Sequence, residues 1–413
     1  MMATVFDARE WDSRYGGDAS QRADRTPAPP TIKATPYACV DPRTIPLRPW
    51  VYGRQFLRGS LSLVVAPGAT GKTALLAGTA LALTTGRPLL DKTVWDGPKR
   101  VWLWNLEDSL GELSRLIEAA RLHWGISADD IGGRLFVDSA LDGADLKMAV
   151  EDRDGFRIVR PVIDALVEEL IARQIDVLIV DPFVSSHSCS ENDNGAIDAI
   201  AKEWARVGVK ANCSVVLVHH TRKLGGGEAT AEGARGAVAL VGAARSVVAL
   251  NKMTPEEANS FGVEGEERRR FFRAYDDKNN RTPPADKSDW YQLASVDLGN
   301  GPVGGHGDSL PVVLPWTCPD AFTGITSGHL ARVQEAVRAG EWRDSDQSED
   351  WVGEAVASVL DLDVSDRKSA DALRVKKLVK AWKASKLLVK VTKHCPKARR
   401  EKPFVEAGGP VEL

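Results

Sequence analysis

The chain has 413 residues, 43% of them hydrophobic, enough to bury a sizeable core and to fill two or three domains of ~100–200 residues each. No apolar run approaches the ~20 residues that span a bilayer, and the start lacks a basic-then-apolar leader, so a soluble, cytoplasmic protein without membrane contact is expected. The five cysteines form no Cys-x-x-Cys pair, which points away from a zinc site or a disulfide framework, and the net charge of −3 excludes little by itself.

Residues 1–45 are polar and then proline-rich, and are expected to form a flexible arm. Residues 46–300 alternate short apolar runs with helical patterns, the runs being Leu61–Val65, Val101–Asn105, Leu135–Val137, Val177–Val180, Ser214–Val218 and Ser246–Leu250. Strands spaced by helices predict an α/β domain with a mainly parallel sheet covered on both faces. The glycines from Gly299 to Gly307 suggest a break, with a linker over 301–320 and a smaller domain over 321–413.

Between the first run and a helical pattern stands Ala66-Pro67-Gly68-Ala69-Thr70-Gly71-Lys72-Thr73. A triphosphate is gripped mainly by backbone N–H groups at such a loop and at the N-terminus of the helix it opens. Pro67 to Thr73, with Ala74 starting the helix, is therefore the expected nucleotide-binding set, with ATP and Mg²⁺ as cofactors. Gly68 and Gly71 allow close backbone approach, Lys72 reaches the β- and γ-phosphates, and the Thr73 hydroxyl holds the metal. Ala66 replaces the usual first glycine, which is tolerable if its φ stays negative.

Two acids complete this chemistry. Asp181 ends the run 177–180, where a carboxylate organises Mg²⁺ at the carboxyl end of a parallel strand; taken alone, it is equally a turn or cap residue. Glu107 follows the strand 101–105 and precedes a helix over Leu110–Ala120. There a carboxylate can polarise the water that attacks the γ-phosphate, with Asp108 or Ser109 as the helix cap.

The segment 222–236, from Arg222-Lys223 to Arg235-Gly236, is too rich in glycine and charge for a packed element and reads as a mobile loop. Further on, Leu330–Ala339, Trp351–Leu360 and Ala370–Ser385 have helical spacing, and Leu387–Thr392 and Pro403–Val405 read as short strands around a basic turn. Asp366 to Lys402 holds fourteen Lys or Arg against three acids, a net of +11 that leaves −14 on the rest. Three helices and a hairpin are similar to a winged helix, a small α+β domain whose third helix enters the DNA major groove while the hairpin touches the backbone. Lys376, Lys377 and Lys380 on that helix, with Arg374 and Lys383 nearby, and Arg399 and Arg400 in the turn, beside Lys397, are the expected contacts. Winged helices also dock proteins, and that alternative stands beside the first.

An ordered series of motifs resembles the RecA-fold ATPases of the RepA type, hexameric replicative DNA helicases more distantly related to DnaB-type helicases. The series is Arg48-Pro49-Trp50, the phosphate loop, Asn105-Leu106-Glu107-Asp108, Val180-Asp181-Pro182, Val218-His219-His220-Thr221, Ala234-Arg235-Gly236, Ala244-Arg245-Ser246 and Asp277-Lys278-Asn279. The resemblance implies a RecA-like P-loop core with Glu107 as catalytic base and Asp181 on the metal. It also implies a γ-phosphate sensor at His219 or His220, and places Arg245 and Lys278 across a subunit interface against a neighbour's ATP. Arg222, Lys223 and Arg235 would grip single-stranded DNA in the channel of a homo-oligomer, a hexamer in this family. The basic tail departs from the family and suggests recruitment by an origin or a replication initiator. The expected activity is an ATP-driven DNA motor. The alternatives are a DNA-remodelling ATPase that does not unwind, or an ATP-gated DNA-binding regulator.

Overall fold

A short hairpin, β1 (Trp50–Tyr52) and β2 (Phe56–Leu57), leads into β3 (Ser60–Ala66), around which the fold is built. Here the structure is a computed structural model describing residues 33–409, except 154, 222–228, 231–237, 262, 264, 284, 286, 303–304, 319 and 396–398. Leu61, Leu63 and Val65 enter one apolar cluster while Val64 and Ala66 enter another, the period-two pattern of a strand covered on both sides.

The chain continues through α1 (Lys72–Thr85), β4 (Val101–Asn105), α2 (Leu110–His123), α3 (Ala128–Ile131) and β5 (Leu135–Ser139). The antiparallel pair β6 (Ala149–Asp152) and β7 (Gly155–Ile158) precedes α4 (Arg160–Ala172), β8 (Val177–Asp181), α5 (Asn194–Ala211) and β9 (Ser214–His220). Then come α6 (Val238–Ala243), β10 (Ser246–Lys252), α7 (Pro255–Phe261), β11 (Phe271–Asn279), β12 (Asp289–Asp297) and β13 (Ser309–Trp316). Among the described residues the main sheet has nine strands, ordered β13-β12-β11-β10-β3-β9-β8-β4-β5. Helices α1 and α2 pack on one face, where Leu76, Ala80, Leu83 and Ile117 are buried; α4 and α5 cover the other through Ile163, Leu170, Ile200 and Trp204.

The six strands from β10 to β5 in this order run parallel, as the apolar runs predict. The antiparallel extension β11 to β13 corrects the expected organisation. Residues 301–320, expected as a linker, contain β13, which pairs along the whole of β12 from Trp290↔Trp316 to Asp297↔Ser309. Side chains fasten the described ends of the connection between β12 and β13: Gly299 N–H donates to Asp297 Oδ1 at 2.7 Å, and Asp308 N–H to Asn300 Oδ1 at 2.8 Å. Glycine clusters punctuate hairpins as readily as domain boundaries, which is why the sequence pattern misled here.

The C-terminal part contains α8 (Ser327–Arg338), β14 (Trp342–Arg343), α9 (Val352–Leu360), α10 (Ala370–Ala384), β15 (Leu388–Cys395) and β16 (Arg400–Ala407). The three helices pack around Val333, Trp351, Val356, Leu378 and Trp382 against a small antiparallel sheet ordered β14-β16-β15. The two-residue strand β14 is too short to be read from periodicity. The chain divides after Leu47, and the first unit is described only from residue 33 onward. Its described part holds one 3₁₀ turn, Pro42–Thr44, started by an Asp41 carboxylate that accepts from Arg43 N–H at 2.9 Å.

Candidate nucleotide-binding site

Parallel pairing brings four strand ends to one edge of the sheet. Ala66 is in register with His220, and Asn105 with Asp181, so the phosphate loop leaves β3 beside the residues that end β9, β8 and β4. Ala66 keeps a negative φ, which meets the condition for replacing glycine there, whereas Gly71, at φ 93°, is left-handed. Ala69 is left-handed too, at φ 54°, a conformation that costs a non-glycine residue roughly 1–2 kcal/mol; the sequence pattern gave no sign of this.

Gly71 is also the N-cap of α1 and offers no side-chain cap, so the first N–H groups of a 14-residue helix depend on another acceptor. A Cβ on Gly68 would meet nothing within 4 Å, so internal packing does not call for glycine, while close approach of a phosphate to the backbone would. Thr70 Oγ1 donates to the Pro67 carbonyl at 2.7 Å and Lys72 Nζ reaches the same oxygen at 3.1 Å. Burial lowers the pKa of Lys72, opposed by Asp181 and Glu107, which identifies an ammonium lacking full compensation within the protein.

Thr73 Oγ1 lies 3.3 Å from Asp181 Oδ2. A hydroxyl and a carboxylate are hard oxygen donors of the kind Mg²⁺ prefers. Asp181 is 4% exposed, and burial pushes its pKa up to about 6 against the pull of Lys72. Glu107, by contrast, is exposed, and its Oε2 stands 3.7 Å from His220 Nε2. Ser109, not Asp108, caps α2, accepting from Glu112 N–H at 3.3 Å. Burial, reinforced by Lys72, lowers the pKa of His220 and keeps the ring neutral, able to donate or accept one hydrogen bond. His219 is buried, with Nδ1 3.7 Å from Glu191 Oε1, so the adjacent rings face different surroundings.

Residues 26–226 match the family model for the AAA domain. Among solved structures, the chain is similar to the RadB recombinase, at 16% identity and a TM-score of 0.38 over 58% of this chain and 89% of that one. It is also similar to a DnaB-like replicative helicase described with its interactions with primase, at 14% identity and a TM-score of 0.42 over 57% of each chain.

Arg245 and Lys278 lie beyond the AAA-domain match. Arg245 is exposed and precedes β10, with its N–H donating to Leu61 O at 2.8 Å. That contact is at the amino end of β3, so the residue stands about five strand positions, or roughly 16 Å, from the loop that leaves Ala66. Lys278 differs from expectation. Its Nζ donates to the carbonyls of Val241 at 2.7 Å, Ala244 at 3.0 Å and Gly242 at 3.3 Å, which occupies all three protons at the end of α6. The ammonium thus caps the turn that carries Arg245 instead of reaching outward.

Arg222, Lys223, Arg235 and Lys397 lie outside the described residues. Within the same glycine-rich segment Ala229 is held from both sides by Asn251, whose Oδ1 accepts from Ala229 N–H at 2.6 Å and whose Nδ2 donates to Ala229 O at 2.9 Å. The third C-terminal helix also departs from the expected free basic face. Lys377 donates to the Ser260 carbonyl and lies 5.2 Å from the Phe261 ring centre, and Lys376 pairs with Asp346 at 2.7 Å. Arg374 donates to the carbonyls of Ala321 and Thr323. Lys383 and Lys390 share Asp344, at 2.5 and 2.8 Å. Lys380, Arg399 and Arg400 are exposed.

Proposed function

We propose that the protein is an ATPase that works as a motor on DNA, in an assembly where Arg245 of one copy completes the site of the next. The observation that carries the hydrolytic part is the convergence of the uncapped start of α1, Lys72, the Thr73–Asp181 pair and Glu107 on one edge of the sheet. In this reading the loop amides and Lys72 bind the phosphates, Thr73 and Asp181 hold Mg²⁺, and Glu107 accepts a proton from the attacking water. The metal would neutralise charge on the phosphates. His220, 3.7 Å from Glu107, would respond to the γ-phosphate by forming or releasing a hydrogen bond.

The position of Arg245 at the amino end of the sheet favours action in trans, because its own loop leaves the opposite end. Exposed Arg399 and Arg400 and the segment 222–235 are the candidate DNA contacts, and a hexameric RepA-like helicase is the specific form proposed. An operator-reading regulator is less well supported, because Lys376 and Lys377 on the third helix are engaged within the chain.

The test is steady-state ATP hydrolysis by wild type and Glu107→Gln without DNA, with single strands and with duplex. Stimulation by single strands that disappears in the variant supports the motor. Equal slow hydrolysis in all conditions rejects it.

A further inference from the structure

The turn joining β4 to α2 is organised by a residue that the roles above leave out. Asn105, the last residue of β4, is 1% exposed, and its Oδ1 accepts from Glu107 N–H at 2.8 Å and from Asp108 N–H at 2.6 Å. This is an Asx-type turn closed twice over one oxygen. The backbone around it is fastened at further points: Leu106 N–H donates to Asp181 O at 2.7 Å and Ser139 Oγ to Asp108 O at 2.7 Å. Asn105 itself sits between Asp181 on β8 and Ser139 on β5 in the sheet register.

We propose that Asn105 is the positioning residue for Glu107, fixing the backbone from which the carboxylate is presented; the proposal rests on Glu107 being the base. The Glu107 side chain is exposed and has little packing to hold it, so its placement depends on where its backbone points. An amide oxygen can accept both N–H groups, whereas alanine leaves two donors without that acceptor at a buried strand end and frees the turn. Because misplacement of a general base affects the chemical step rather than ground-state binding, the signature is a loss in kcat with little change in KM.

The experiment compares full-length wild type, Asn105→Ala, Asn105→Asp, Glu107→Gln and the double variant Asn105→Ala/Glu107→Gln. It reads kcat, KM for ATP and the dissociation constant of a fluorescent ATP analogue. Asn105→Ala is expected to lower kcat about ten- to a hundredfold with KM and nucleotide affinity within about threefold. Asn105→Asp keeps the acceptor and is expected to restore most of the loss. In the Glu107→Gln background Asn105→Ala is expected to cost nothing more, since it acts through the side chain already removed. If the alanine variant does not fold, Asn105→Ser takes its place in the cycle. Equal fractional losses in both backgrounds, or a loss confined to KM, overturn the role of Asn105. Normal turnover by Glu107→Gln instead overturns the base assignment, so the two failures are distinguishable.

Discussion

The hydroxyl of Thr73 faces the carboxylate of Asp181 at 3.3 Å across 108 residues of sequence, joining the loop after β3 to the end of β8. If these oxygens share one Mg²⁺, Asp181→Asn should reduce Mg²⁺-dependent turnover by about two orders of magnitude while leaving metal-free nucleotide binding within a fewfold of wild type. Magnesium titration of hydrolysis, with nucleotide binding in a chelator as control, separates the two. An unchanged magnesium requirement counts against the pair.

Lys72 is 6% exposed and its pKa is lowered by burial, so its charge costs stability in the nucleotide-free fold. Lys72→Met should therefore keep or raise the melting temperature while weakening ATP binding at least tenfold. Calorimetry and nucleotide titration of one preparation check both halves. Wild-type ATP affinity in this variant rejects the phosphate contact.

Acid should destabilise the protein through two histidines. Burial, with Lys147 acting in the same direction and the Cys189 backbone against it, lowers the pKa of His187 to about 4. Burial, reinforced by His220, His187 and Lys72, does the same to His219, to about 4, although Glu191 stands 3.7 Å away. Between the unfolded value near 6.5 and about 4 the unfolded chain binds more protons than the folded one. Stability is thus complete above about pH 6.5 and falls towards pH 4, by at most roughly 3 kcal/mol per ring. His187→Phe should flatten the slope of urea-unfolding free energy against pH between 6.5 and 5, and an identical slope refutes the assignment.

Arg245→Ala is expected to bind nucleotide normally and to lose turnover, with partial recovery on mixing with Glu107→Gln subunits if the guanidinium acts across an interface. Lys278→Met removes the cap from the turn that carries Arg245 and should reproduce much of that loss, whereas Lys278→Arg should spare part of it. Full turnover in Lys278→Met shows that Arg245 does not need the cap.

Asp344, with its side chain 13% exposed, neutralises Lys383 and Lys390 together. Asp344→Ala should raise affinity for a non-specific duplex several-fold at low salt and steepen the salt dependence by about one to two released counterions. Fluorescence anisotropy at two salt concentrations measures this. Unchanged affinity means that these lysines do not face nucleic acid.

The parallel strands and the loop after β3 were the most legible. Apolar strands buried on both faces announce themselves as runs, and the turn after Val65 carries its glycines, Lys72 and Thr73 in a fixed order, so the edge of the sheet where β3 ends could be drawn from residue types. The strands β11 to β13 escaped because one of them contains Arg273, Asp276, Asp277 and Lys278, half-buried side chains with no apolar run. The partners of Lys278 and Lys377 were illegible for another reason: a lysine signals charge in sequence, but whether it meets a carbonyl, a ring or solvent is decided by elements far along the chain. Asn105 did leave a trace, since asparagine at a strand end before two acids is a common way to start a turn.

Gly71 ties these parts together. A Cβ there would come within 3.2 Å of Leu293 Cδ2 on β12 and 3.6 Å of Phe272 Cε1 on β11, so side chains from the antiparallel extension lie against the hinge of the phosphate loop. Shortening the protein at the inviting glycines near residue 300 would strip β12 of its outer partner and loosen the wall behind the loop. The shortest piece that keeps this wall intact therefore ends beyond Trp316, well past the loop that it backs.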